Sequence, residues 1–236
     1  MHFKSIHTPN FSKKPSNLNK IKFIIIHYTG MQSKRVSLKR LRNPKYRVSC
    51  HFLIDRSGEV LRLVDENKIA WHAGKSKWKS FVNLNKNSIG IELVNKGHKL
   101  GYQKFSKKQI NSLIKLCTYL KKKYVIKKQN ILGHSDIAPL RKIDPGEKFP
   151  WRILGRKNLV ILPNKKIRFN FKNKNLRNIF FKNLKKIGYR YFNSRSNTFK
   201  NKLVIKSFQR RFRQTKINGI IDIECTKISS ILAKKT

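Results

Sequence analysis

The sequence predicts an α/β fold: a mixed central β-sheet flanked by helices, plus a small C-terminal three-helix bundle. Three observations predict it. Short apolar runs rich in Ile and Val recur between residues 23 and 132, bounded by Gly, Asn, Asp and Ser, as strands require. One long stretch, 107–123, instead carries its apolar residues at a 3.6-residue period. Beyond about residue 163 the strand-like runs stop and only helical patterns remain. Strands and helices alternate without a strict βαβ rhythm, so the sheet is expected to be mixed rather than wholly parallel.

Taken in order, residues 1–20 hold Pro9, Pro15 and several Asn and Ser, and read as an extended lead-in. Phe23–Ile26 ends in three β-branched residues, stiff at χ1 and suited to a pleated surface, and leads directly into His27-Tyr28-Thr29-Gly30. Ser33–Arg42 is expected to be a short helix, stopped by Pro44. Val48–Asp55 and Glu59–Val64 form a hairpin about Arg56-Ser57-Gly58. Residues 65–87, with Trp71 and Trp78, are expected to be a long functional loop, and Ser88–Val94 is another strand. Ser106 caps helix 107–123, with Gln109 completing a capping box; Gln129–Leu132 is a short strand ending at Gly133-His134. In the last third, Leu176–Ile187 is a helix stopped by Gly188. A second, capped by Asn197 or Thr198, carries Leu203, Val204, Phe208 and Phe212 on one face. A third, capped by Asp222, carries Cys225, Ile228, Ile231 and Leu232. The resulting division is 1–160, a linker over 161–170, and 171–236 as a separate helical unit.

Among 236 residues, 57 Lys+Arg stand against 10 Asp+Glu, a net charge of +47. Such a field attracts polyanions: nucleic acid, anionic lipid or an acidic wall polymer. The basic residues are spread along the whole chain and interleaved with Asn and Ile, which is the pattern of a compositional bias leaving solvated faces basic. No specific nucleic-acid partner is therefore expected. Cys50, Cys117 and Cys225 are far apart and form no CxxC pair, which excludes a disulfide framework or Cys-rich zinc site and leaves buried thiols. No apolar run approaches the ~20 residues of a membrane span. Residues 1–20 lack an apolar export core, so a cytoplasmic location is expected, or a periplasmic or cell-envelope one if an export signal has been missed or removed; the chain is expected to be a monomer.

Four places present chemistry-bearing side chains at strand ends or in loops: His27; Trp71-His72-Ala73-Gly74; Glu92; and His134 leading to Lys142-Ile143-Asp144. Glu92 lies between Ile91 and Leu93 in a chain poor in acids. Buried there it needs a partner; on an alternating strand it could equally face solvent. His134 and Asp144 are open to the ordinary readings of a loop His and a capping Asp. Two His and one Asp make a three-donor zinc set with a fourth position open to water, but spacing alone does not bring three segments together.

Six motifs occur in sequence: His-Tyr-Thr-Gly at 27–30, Val-Ser-Cys-His-Phe at 48–52, Ala-Trp-His-Ala-Gly at 70–74, Ser-Ile-Gly-Ile-Glu-Leu at 88–93, Gly-His-Ser-Asp-Ile-Ala-Pro at 133–139 and Lys-Ile-Asp-Pro-Gly at 142–146. In that order they resemble the zinc-dependent N-acetylmuramoyl-L-alanine amidases of the type-2 family, related to T7 lysozyme and peptidoglycan recognition proteins. Val204, Phe208–Phe212 and Gly219–Asp222 are more loosely similar to a peptidoglycan-binding three-helix domain.

The resemblance implies that His27, His134 and Asp144 bind Zn2+, that Glu92 is the general base and acid, and that Lys142 stabilises the oxyanion. It implies peptidoglycan or a muropeptide as substrate, with Trp71, His72, Ala73 and Gly74 lining the groove. Relatives of the T7 lysozyme kind carry a catalytic Tyr near the second strand; Cys50-His51-Phe52 stands there instead, and no role follows for His51. A non-catalytic recognition protein is the alternative, and a basic nucleic-acid binder a remoter one. If the helical unit is separate, a chain cut near Pro163 should stay soluble and active on small muropeptides.

Overall fold

The computed structural model describes residues 3–13, 20–163 and 175–236. Most of the expected linker, 164–170, lies outside them. Among the described residues a six-stranded sheet runs in the order β1-β5-β4-β9-β3-β10, built from β1 (Lys4–Ser5), β3 (Phe23–Tyr28), β4 (Phe52–Ile54), β5 (Val60–Arg62), β9 (Ser88–Leu93) and β10 (Ile131–Gly133). Strands β4, β9, β3 and β10 are mutually parallel, and β5 is antiparallel to β4, so the sheet is mixed as expected. The segment 65–87 is more ordered than a loop: β6 (Lys68–Ala70) pairs with β2 (Phe11–Lys13), and β7 (Lys77–Trp78) with β8 (Phe81–Val82).

Side chains alternate across each strand, and both faces are covered. Ile24, Ile26, Ile89, Ile91 and Leu93 pack against Ile110, Leu113, Leu116, Cys117 and Leu120 of helix α2 (Lys107–Lys123). The α2 register follows its periodicity, and Ser106 Oγ accepts the Gln109 N–H at 3.1 Å. The capping box is not completed. The Gln109 side chain is buried and donates to the carbonyls of Ile54 and Val94 at 2.9 and 3.2 Å, tying helix to sheet instead. Helix α1 (Lys34–Arg42), capped by Ser33, covers a smaller cluster of Leu41, Leu53, Leu61 and Leu63. All three cysteines are free and buried.

The opposite face of β3 and β10 carries Phe23, Ile25 and Leu132. It is covered by the three C-terminal helices: α5 (Leu176–Ile187), α6 (Phe199–Phe212, capped by Thr198) and α7 (Ile223–Ala233, capped by Asp222). They are preceded by the short α3 (His134–Ile137) and α4 (Trp151–Arg156). The helices do not form a detached bundle. Phe180, Phe181, Leu184, Val204 and Phe208 share one continuous core with Phe23, Ile25, Trp78, Leu132 and Ile137. Gly188 marks this closeness: at φ 140° it stops α5, and a Cβ there would lie 2.4 Å from the Trp78 indole. The helical periods were readable from the sequence; that their apolar faces had no other surface to cover was not.

Candidate metal centre

Strand register brings the candidate residues together. His27 stands beside Glu92 across β3–β9, and Gly133 beside Ile26 across β10–β3, so His134 follows at the level of His27. All lie at the carboxyl ends of parallel strands, where open α/β sheets bind ligands. Period two puts Glu92 opposite Ile91 and Leu93. That face is not solvent, however, but the wall of the site, and Glu92 is buried.

His27 Nδ1, His134 Nδ1 and Asp144 Oδ2 form a triangle with sides of 2.9, 3.1 and 3.2 Å. The surrounding hydrogen bonds fix where the protons are. His134 Nε2 faces the Ala73 carbonyl at 3.1 Å and the Arg141 Nη2 at 3.4 Å; the nearer group can only accept, which assigns the proton to Nε2. The Ser88 hydroxyl donates to the Leu84 carbonyl at 2.6 Å and so accepts from His72 Nε2 at 3.2 Å. His72 Nδ1 is then an acceptor, and His27 Nε2 donates to it at 3.0 Å. Both Nδ1 atoms are thereby left as lone pairs directed at each other and at a carboxylate. Burial, then the neighbouring His134, lowers the His27 pKa to about 4, so this imidazole is neutral. Three converging electron pairs around one buried point repel unless a cation lies among them. The set of two imidazoles and one carboxylate, small enough for bonds of about 2.0–2.2 Å, suits zinc and leaves a coordination position open.

Glu92 lines the same cleft of about 570 Å3 as His27, His134, Lys142 and Asp144. Its Oε2 is buried without a hydrogen-bond partner. Burial, with Asp144 adding to it and Lys142 opposing, pushes its pKa up to about 8. Lys142 is placed by its own backbone N–H, which donates to the Ala138 carbonyl at 3.1 Å.

The Trp71–Gly74 stretch lies behind the centre rather than along a groove. Trp71 Nε1 donates to Ser12 Oγ, the N–H groups of His72 and Ala73 donate to Asn85 Oδ1, and the Ala73 carbonyl receives His134 and Arg141. Trp71, Ala73 and Gly74 do not line the cleft; His72 does, as the orienting partner of His27. His51 joins two segments: its Nδ1 accepts the Gly90 N–H at 3.0 Å, and its Nε2 donates to the Lys68 carbonyl at 3.2 Å. The His72 ring lies over Gly90, where a Cβ would come within 2.3 Å of it. Replacing Gly90 by Ala, or His72 by Leu, should therefore weaken metal affinity about 10- to 100-fold, as the loss of a ligand-orienting partner does. His72→Asn, which keeps an acceptor near the Nδ1 position, should weaken it less. Chelator competition measures all three.

The cleft has features the sequence did not single out. Arg40, Lys96, Lys99 and Arg141 line it along with Lys142, giving a cationic rim, and in a chain with 57 basic residues nothing marked those first four. At the edge, Tyr28 Oη meets His98 Nδ1 at 2.9 Å, and His98 Nε2 meets Glu147 at 3.1 Å while stacking on Tyr102. Burial raises the Tyr28 hydroxyl pKa to about 12, so it stays protonated.

A family model described as N-acetylmuramoyl-L-alanine amidase matches residues 17–147. The N-acetylmuramoyl-L-alanine amidase AmiD of Escherichia coli K12 is 32% identical over 92% of this chain and 83% of its own. The 1,6-anhydro-N-acetylmuramyl-L-alanine amidase AmpD of Haemophilus influenzae is 35% identical over 63% of this chain and 88% of its own. The solved complex of E. coli AmiD with anhydro-N-acetylmuramic acid-L-Ala-D-γ-Glu-L-Lys superposes with a TM-score of 0.81 at 33% identity, covering 91% of this chain and 89% of that one.

Proposed function

The chain belongs to the N-acetylmuramoyl-L-alanine amidase family, and we propose that it hydrolyses the amide between the lactyl group of N-acetylmuramic acid and L-alanine, with zinc as cofactor. The observation that carries the reading is the triangle of His27, His134 and Asp144 donor atoms beside a buried carboxylate with one oxygen free. His27, His134 and Asp144 would hold the ion. When bound, zinc polarises a carbonyl and lowers the pKa of water from 15.7 to about 7.

The protein's own groups supply the rest. An amide is a weak electrophile with a poor leaving group, so the water must lose a proton on attack and the departing amine must gain one. Glu92 serves both steps: its unpartnered oxygen takes the proton, and the same group returns it to the nitrogen. A carboxyl raised toward neutrality is suited to this exchange, because neither protonation state is strongly preferred. Lys142, on the same cleft wall, supplies positive charge where the carbonyl oxygen becomes anionic. One such donor is typically worth about 3–4 kcal/mol of barrier. The cationic rim of Arg40, Lys96, Lys99 and Arg141 suits a substrate bearing peptide carboxylates. The bond is common to intact peptidoglycan and anhydro-muropeptides, and the reading covers both.

All three donors and Glu92 are present together, which favours an enzyme over a recognition protein. The purified chain should contain one zinc per molecule and lose muropeptide hydrolysis on chelation, regaining it with added zinc. Hydrolysis undiminished by a chelator that strips the metal would overturn this reading.

A further inference from the structure

Helix α6 and Tyr189, just past the end of α5, reach the metal centre from behind. Asp136, two residues after His134, is buried at 1% exposure, and both its oxygens are engaged. Oδ2 accepts the Gly133 N–H at 2.8 Å and Arg211 Nη1 at 2.5 Å; Oδ1 accepts the Tyr189 hydroxyl at 2.6 Å. Arg211 also donates from Nη2 to the Ile131 carbonyl at 2.9 Å, and its guanidinium lies 4.4 Å from the Trp151 ring centre. Ser207 Oγ donates to the Ser135 carbonyl at 2.7 Å, while the Ser135 N–H donates to the Asp144 carbonyl at 2.9 Å. Residues of α6 and the segment after α5 thus grip the turn that bears His134, and Ser135 links that turn to the backbone of Asp144.

None of these contacts faces the cleft, so they serve neither substrate nor wall polymer directly. Nor is a buried ion pair an efficient way to gain stability, since apolar residues of equal volume commonly do as well. What a rigid, bidentate guanidinium offers is position.

We propose that the C-terminal helices act as a positioning clamp on the metal centre: Arg211, Tyr189 and Ser207 hold the His134–Asp136 turn, and through it Asp144, in register with His27. The helices are on this view part of the metal site's architecture, whatever else their outer surface binds. The proposal rests on the zinc reading above.

The test uses the full chain. Arg211→Met should weaken zinc binding about 10- to 100-fold in chelator competition and alter the visible spectrum of the cobalt-substituted protein, with Arg211→Lys intermediate. Phe180→Leu, in the shared core but with no hydrogen bond to this turn, is the control; it should lower the melting temperature and leave zinc affinity unchanged. If Arg211→Met binds zinc within about twofold of the parent with the same cobalt spectrum, or if Phe180→Leu loosens zinc as much, the clamp is overturned. Should Arg211→Met not fold, Tyr189→Phe and Ser207→Ala decide in the same way, each expected to weaken binding several-fold. A parent chain that binds no zinc overturns the metal reading and the clamp together. Equal binding by parent and variants overturns the clamp alone.

Discussion

Changing Glu92 to Gln is expected to lower kcat on a muropeptide by about 100- to 10,000-fold, the usual contribution of a general acid–base group, and to leave one zinc per chain. The argument is geometric first. Glu92 sits directly across the β3–β9 register from His27, its side chain in the cleft and one oxygen without a partner. A buried carboxylate oxygen left bare is costly, and among the described residues Glu92 is the one acid with such an atom. The three metal donors are complete without it, so the metal should stay. Gln keeps the shape and hydrogen-bonding capacity but takes up no proton at neutral pH, which separates loss of proton transfer from loss of packing. Steady-state kinetics with metal analysis on the same preparation reads both. Near-parental kcat with zinc bound would remove Glu92 from the chemistry. Loss of zinc alongside activity would make it a metal-site residue instead.

The sequence made strands, helix periods and caps legible because those depend on near neighbours. Phe23–Ile26, the 107–123 helix, and the caps at Ser106 and Asp222 are all local patterns, and all appear. The donors His27, His134 and Asp144 were legible only through the resemblance, since their meeting depends on pairing β10 with β3, more than 100 residues apart. Glu92 shows the limit of periodicity. The alternation correctly put it opposite Ile91, but whether that face met solvent or a site depended on α2 and the C-terminal helices covering both sides of the sheet. His72 lines the cleft as expected, but its orienting contact with His27 was hidden for a related reason. A His within a Trp-His-Ala-Gly stretch reads as a groove residue, and nothing local says that Gly90, on another strand, leaves room for its ring against His27. The clamp through Asp136 and Arg211 joins positions 75 apart in the chain, where a lone Asp and one Arg among many carry no pattern at all.

Ending the chain at Pro163 is expected to give an insoluble or molten product rather than the active domain that the sequence suggested. The truncation would bare Phe23, Ile25, Trp78, Leu132 and Ile137, all buried against the C-terminal helices. At about 1.5–3 kcal/mol for each large apolar side chain exposed, the loss is of the same order as the 5–15 kcal/mol that holds a typical protein folded. Asp136 would also lose Arg211 and Tyr189 while still enclosed by its own turn. Breaking one side of a buried pair typically costs about 3–5 kcal/mol more. The Haemophilus AmpD relative matches 63% of this chain along 88% of its own length, so the family does include a shorter member. What this chain cannot spare follows from its own surface: an apolar sheet face and a carboxylate that only the last helices complete. Near-ultraviolet circular dichroism and thermal unfolding of residues 1–163 test this. A cooperative transition with parental zinc affinity would show that the sheet face tolerates water, and that the helices are an accessory to a domain already able to stand alone.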